Sequence, residues 1–244
     1  MPFQTLPFWM QLGAFFLAIN AGMINVLGLV TVLHQSVSHM TGNVSMLSMA
    51  LVQWQPATIL YLVLVILCYV AGSCYSGLIL GNSNFQLGRR YGIPLSLVAF
   101  FIFICWLLLP YLPRYALLWA CAAMGIQNAM VSHYKGTIIR TTHLSGVLTD
   151  LGLALGYRLR GLKVGQKRII LHLLILFGFL IGGLVASLIY PYLKLNAYLI
   201  PVGLSCCLSL VYWIIYFQYR HHYPFRNLLW LKMHCRLSCS KRVW

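Results

Sequence analysis

Two short polar segments hold most of the groups in this sequence that can do chemistry. They are Ser38-His39-Met40-Thr41-Gly42-Asn43 and Thr141-Thr142-His143-Leu144-Ser145-Gly146. Each interrupts an apolar pattern just ahead of a short apolar stretch. Thr41, Asn43, Ser145 and Thr149 are residue types that cap helix starts. Free amide N–H groups at such a start present partial positive charge to a ligand, and Gly42 and Gly146 permit close backbone approach. At membrane depth, irregular backbone survives only where it is buried in protein or lines a wet cavity. The two segments are therefore candidates for the path of an unknown small solute. The plainer alternative is a pair of polar turns at a membrane surface. His39 and His143 are the imidazoles of the two segments, and a lone His in a polar turn more often serves as a hydrogen-bonding residue than as a ligand.

Other polar groups lie inside apolar runs. Asn25 and Asn128 stand at matching places, with Asn20 and Gln127 nearby. A buried carboxamide needs partners, because each unmet group costs about 1–3 kcal/mol. Asn25 and Asn128 are expected either to hold the polar segments by hydrogen bonds or to line a solute path. Asp150 is the only acid. An intramembrane ionisable residue is a functional candidate; the alternatives are a helix-dipole charge or a salt-bridge partner for Arg158 or Arg140. With one acid, paired-carboxylate catalysis is excluded. The chain carries no zinc-type Cys-x-x-Cys pairs, His-Glu-x-x-His, phosphate loop or nucleophile elbow. The expectation is a non-enzyme without cofactor or metal. Of eight cysteines, six fall in apolar runs as packing residues; Cys235 and Cys239 fall in a basic tail, where reduced thiols are the plain reading.

The elements that must position these residues follow from composition. Of 244 residues, 61% are hydrophobic and 7% charged, against about a quarter charged in soluble domains. So little polar surface requires lipid as the solvent for much of the chain. Six runs are long enough to span: Phe8–Leu33, Ala57–Leu80, Ile93–Pro110, Tyr115–Tyr134, Ile169–Tyr190 and Ala197–Tyr219, the third bounded by Pro94 and Pro110. Val44–Trp54 and Val147–Tyr157 have 11 residues each, too few to cross alone at 1.5 Å per residue. They re-enter as half-helices, or cross if the polar segments join them. The fold class is an all-α polytopic bundle with six full spans plus two short helices; the alternative has eight spans.

Charge placement favours six. The 17 Lys and Arg sit between and after the apolar runs, and none precedes Arg89. The first apolar run is thus longer than a signal-peptide core and lacks its basic start. With six spans, 15 basic residues share one side and only Arg114 and Lys194 lie opposite; with eight, the split is 12 against 5. Positive charge collects on the cytoplasmic side, so both termini are expected there. The tail, Arg220 to Trp244, fits anionic lipid of the cytoplasmic leaflet rather than nucleic acid.

The halves resemble each other. His39-Met-Thr-Gly-Asn-Val-Ser-Met-Leu-Ser-Met-Ala-Leu51 aligns without a gap on His143-Leu-Ser-Gly-Val-Leu-Thr-Asp-Leu-Gly-Leu-Ala-Leu155. Ala21-Gly-Met-Ile-Asn25 pairs with Met124-Gly-Ile-Gln-Asn128, and Gly72, Ser73, Ser76 and Gly77 pair with Gly182, Gly183, Ala186 and Ser187. Three spans per half make the repeat inverted, an architecture of secondary transporters; four make it parallel. The expected units are a first repeat 1–112, a second repeat 113–219 and a tail 220–244. Gly72/Ser76 and Gly182/Ala186, four residues apart, flatten a helix face for close packing, whether static or sliding. Oligomerisation is left open.

The ordered motifs Gly22-Met-Ile-Asn25, Ser38 to Asn43, Met124-Gly-Ile-Gln-Asn-Ala129 and Thr141 to Asp150 resemble the YoaK-like family. This is a bacterial group of multi-pass membrane proteins classed under a domain of unknown function. The likeness runs from about Leu12 to Tyr219 and implies a helical bundle in a bacterial inner membrane, without implying a substrate. Asn25 stands where that family often has an acid. The functional expectation is a small-solute permease or channel-like protein, with Asn25, His39, Thr41, Gly42, Asn43, Asn128, His143, Ser145, Gly146 and Asp150 about its path. A non-transporting membrane scaffold is the alternative, and a lipid-acting membrane enzyme a third.

Overall fold

The computed structural model describes residues 8–31, 37–81, 89–132, 141–162 and 164–222. All regular structure among them is helical. The elements are α1 Phe8–Thr31, α2 Met40–Val52, α3 Pro56–Leu80, α4 Arg89–Leu108, α5 Pro113–Ser132, α6 Leu144–Leu159, α7 Gln166–Leu193, a 3-10 turn Lys194–Tyr198 and α8 Leu199–His222. The order long, short, long, long occurs twice. The tail beyond 222, with Cys235 and Cys239, lies outside the described residues.

Four stretches are long and apolar enough to cross a membrane: Phe8–Thr31, Pro56–Leu80, Tyr91–Leu108 and Ile169–Gln218. The last is 50 residues long and takes in α7, the 3-10 turn and α8. Helix α5 is not among them, although Tyr115–Tyr134 was expected to span. Its 20 residues include Gln127, Asn128 and several alanines, and most of its inner half is buried. A helix packed between neighbours needs less apolar surface than one facing lipid.

Several boundaries differ from the sequence expectation. Helix α2 starts at Met40 rather than Val44, and α6 at Leu144 rather than Val147, because the polar motifs supply helical first turns. Pro94 lies inside α4, which begins at Arg89. As the sixth residue of α4 it lacks the N–H that would bond the Arg90 carbonyl, so one helical hydrogen bond is missing there. Pro56 opens α3 and Pro113 opens α5, the first-turn position that suits a residue without an N–H.

The most extensive helix contacts join α1 to α7 and α3 to α5, each time the first long helix of one half with the third helix of the other. Two near-identical crossings form them. A Cβ on Gly182 would come 2.0 Å from the Ile19 carbonyl oxygen, and one on Gly22 would come 2.1 Å from that of Phe179. In the other pair, a Cβ on Gly72 would come 2.2 Å from the Ala122 oxygen, and one on Gly125 would come 2.1 Å from that of Tyr69. Only glycine lets the backbones touch there. Neighbouring contacts show that α1 and α7 run parallel: Gly178 lies at Phe15 and Gly182 at Ile19, while Thr31 meets Tyr198 just beyond α7. Helix α4 runs against α8, since Gly92 lies at Trp213, Ser96 at Ser209 and Trp106 at Asn196.

The main apolar cluster gathers Ile24, Ile102, Leu117, Met124 and Tyr198. A second joins Leu17, Leu80, Leu95 and Met130. The short helices stay at the edge. Helix α2 packs on α3 and α6 on α7, and the two do not touch.

Candidate functional site

Both polar segments are held from behind by an asparagine on a long helix. Asn25 of α1 donates through Nδ2 to Ser38 Oγ at 2.7 Å and accepts the Ser38 backbone N–H at Oδ1, 3.0 Å. Asn128 of α5 donates to Thr142 Oγ1 at 2.6 Å and to Tyr69 Oη at 2.8 Å, while Thr141 Oγ1 donates to its Oδ1 at 3.2 Å. A carboxamide carries both donor and acceptor, so it matches irregular backbone where no helix bond is available. Asn25 and Asn128 are themselves buried. Of the two expectations for them, bracing is the geometry observed.

Each brace leads into a helix start built on histidine. His143 is the N-cap of α6, and its Nδ1 accepts the Gly146 N–H at 3.2 Å. His39 is the N-cap of α2, and its ring also lies over the glycine, Gly42, but turns Cδ2 towards it and makes no capping hydrogen bond. A Cβ at either glycine would come 2.6 Å from the imidazole, so glycine at the third helical position is what admits the ring. The caps expected at Thr41, Asn43, Ser145 and Thr149 are therefore not caps. Those residues lie within the first turns, where Thr149 Oγ1 donates to the Ser145 carbonyl and Ser45 Oγ to that of Thr41. His39, Thr41, His143 and Ser145 are exposed, Gly42 and Gly146 half-buried, and Asn43 buried.

Residues 13–211 match the model of a family described as a protein of unknown function, DUF1275. The chain belongs to DUF1275. The match takes in both polar segments and runs from α1 into α8. No curated protein and no solved structure matches the chain.

In this DUF1275 protein the second segment is also tied to α1 through the bundle's interior. Gln127, beside Asn128, donates to the Leu17 carbonyl at 2.9 Å and to Thr141 Oγ1 at 3.3 Å, and accepts from Asn20 Nδ2 at 3.2 Å. Thr141 thus sits level with Leu17 and Asn20 of α1, and Ser38 level with Asn25. Along α1, Leu17 and Asn25 are about 12 Å apart, taking 1.5 Å per helical residue.

Asp150 lies elsewhere, on the face of α6 that meets α7. Its Oδ2 is 3.4 Å from His172 Nε2, and His172 is buried. Sequence reasoning missed His172. The available signal was an imidazole inside an apolar run of a chain with a single acid. Arg140, one partner considered for Asp150, lies outside the described residues. Among the described residues no group of three His, Cys, Asp or Glu is placed to hold a metal ion.

Proposed function

We propose that this DUF1275 protein is a membrane transport protein for a small solute, built on an inverted repeat of three spans and one re-entrant half-helix. Helix directions support that topology. Helices α1 and α7 run together, and α4 opposes α8. With α4–α5 and α7–α8 as hairpins, α5 and α7 point opposite ways, so α6 returns to the side it left. The same argument applies to α2 between α1 and α3. Fifteen basic residues then share one side, as the positive-inside rule requires.

The observation that carries the transport reading is the pair of helix starts led by histidine, Ser38–Asn43 and Thr141–Gly146, braced from Asn25 and Asn128. Repeat-related broken helices near mid-membrane are where transporters bind their cargo. Their exposed hydroxyls and imidazoles, at Thr41, Ser145, His39 and His143, are the groups a polar solute would meet. The two glycine crossings make α1/α7 and α3/α5 into stiff pairs, and rocking one pair against the other would open the seam between the half-sites.

Flux measurements in reconstituted vesicles across a panel of solutes test this. Wild-type protein should pass at least one small polar solute, and Thr41→Val or Ser145→Val should slow it several-fold. One observation favours a second reading, a non-transporting scaffold: Asn25, Asn43 and Asn128 are buried, and the hydrogen bonds of Asn25 and Asn128 knit the bundle. Vesicles that pass nothing, with both variants folded, would establish the scaffold instead.

A further inference from the structure

The buried core is interrupted by a polar layer with unmet hydrogen-bonding oxygens. Leu17 of α1, Leu80 of α3, Met130 of α5 and Leu208 of α8 share one apolar cluster with Tyr91 and Leu95 of α4. One turn onward, in a common direction through the bundle, these helices place Asn20, Ser76, Gln127 and Ser205. Beyond them begins the main cluster, with Ala21, Ile126 and Leu204. The polar layer is thus enclosed by apolar ones. Its side chains are 0%, 0%, 0% and 1% exposed in that order.

Hydrogen bonding fixes the orientation of the central pair. Gln127 Nε2 is committed to the Leu17 carbonyl and Thr141 Oγ1, so its Oε1 must accept from Asn20 Nδ2. Asn20 Oδ1 consequently faces away, with no donor. The Ser76 and Ser205 hydroxyls have no partner either. The exposed helical serines Ser45 and Ser48 bond the carbonyl four residues back; these two buried serines do not. Native interiors keep few such unmet groups, and each calls for an explanation. The layer also lies on the seam between the α1/α7 and α3/α5 pairs, where Asn20 meets Gln127.

We propose that this layer binds a neutral hydrogen-bonding molecule, either water or a small hydroxyl- or amide-bearing solute. One carbonyl acceptor and two hydroxyls offer both acceptors and donors. The layer itself contributes no charged side chain, and an ion in so apolar an enclosure would lack a counter-charge. Occupancy of the layer stands apart from the transport reading; assigning a solute rather than water rests on that reading.

Thermal unfolding of the full chain and stopped-flow uptake of urea and glycerol into vesicles, with sodium chloride as the charged control, test it together. If the layer is occupied, Ser76→Ala/Ser205→Ala removes hydrogen bonds and lowers the melting temperature by several degrees. An equal or higher melting temperature means dry, wasted hydroxyls and overturns the proposal. Given the lower temperature, several-fold loss of urea or glycerol uptake in Asn20→Leu and in the milder Ser205→Ala identifies a solute site. Unchanged uptake identifies bound water. Wild-type vesicles that pass no solute, with the double variant still destabilised, sink the transport reading and leave the occupied layer standing. Sodium chloride flux lost in Asn20→Leu overturns the neutral class.

Discussion

Asp150 and His172 show how a single side chain can be placed in lipid-facing sequence without a partner visible beside it. The corresponding positions of the first half, by the offsets that align the two polar segments and the two glycine clusters, are Met46 and Leu62. One half therefore carries apolar residues at these two places, and in the other Asp150 Oδ2 lies 3.4 Å from His172 Nε2. His172 is buried while the Asp150 side chain is 36% exposed; removing one partner loses the contact, whereas replacing both by apolar residues of similar size is often neutral. His172→Leu alone should lower the melting temperature in detergent, and adding Asp150→Met should restore most of it. Equal melting of the single and double variants would show that the pair does not fasten α6. Asn25 and Asn128 were legible in the sequence as matched carboxamides. Their partners were legible only as neighbours in sequence order, since Tyr69 joins Asn128 from 59 residues away.

Among the elements, the decisive contacts are backbone on backbone. Small residues four apart announced flat helix faces, but not which helix each would meet. The structure pairs α1 with α7 and α3 with α5, so each half's glycine face packs on the other half. A methyl at Gly72 or Gly182 would lie about 2 Å from a carbonyl oxygen, far inside van der Waals contact, and the helices would have to separate. Gly72→Ala and Gly182→Ala should each reduce the folded yield and melting temperature sharply. Gly77→Ala and Gly203→Ala meet nothing within 4 Å and should be neutral or slightly stabilising, since alanine is favoured over glycine in a helix by about 1 kcal/mol. Size-exclusion profiles and thermal melts of the four variants check this. Similar losses at all four sites would mean the crossings are not what holds the pairs together.

At the scale of the whole molecule, the question is which loops share a side. The hydrogen bond between Trp106 and Asn196 sets the end of α4 beside the turn joining α7 to α8. In the six-span arrangement, Gln55, Tyr111 and Asn196 face one side and Gly161 the other. In an eight-span arrangement, Gln55, Tyr111 and Gly161 share a side and Asn196 lies opposite. Single cysteines at these four places, in a cysteine-free background and probed with a membrane-impermeant maleimide, should label Tyr111→Cys and Asn196→Cys from the same side. Labelling from opposite sides would remove the inverted repeat and with it the basis of the transport proposal.

The apolar helical character, the two polar interruptions and their resemblance were legible in the residues alone, because hydropathy and local motifs act over a few residues. The sequence also marked the small-residue faces and the carboxamides that need partners. It misjudged the caps, since whether an imidazole fits over the first turn depends on the glycine three residues on. Tertiary structure alone decided which halves interlock, that the short helices stay apart, that His172 meets Asp150, and that four polar residues from four helices fall at one level. Those outcomes depend on helix direction and crossing point, which sum over contacts far apart in the chain.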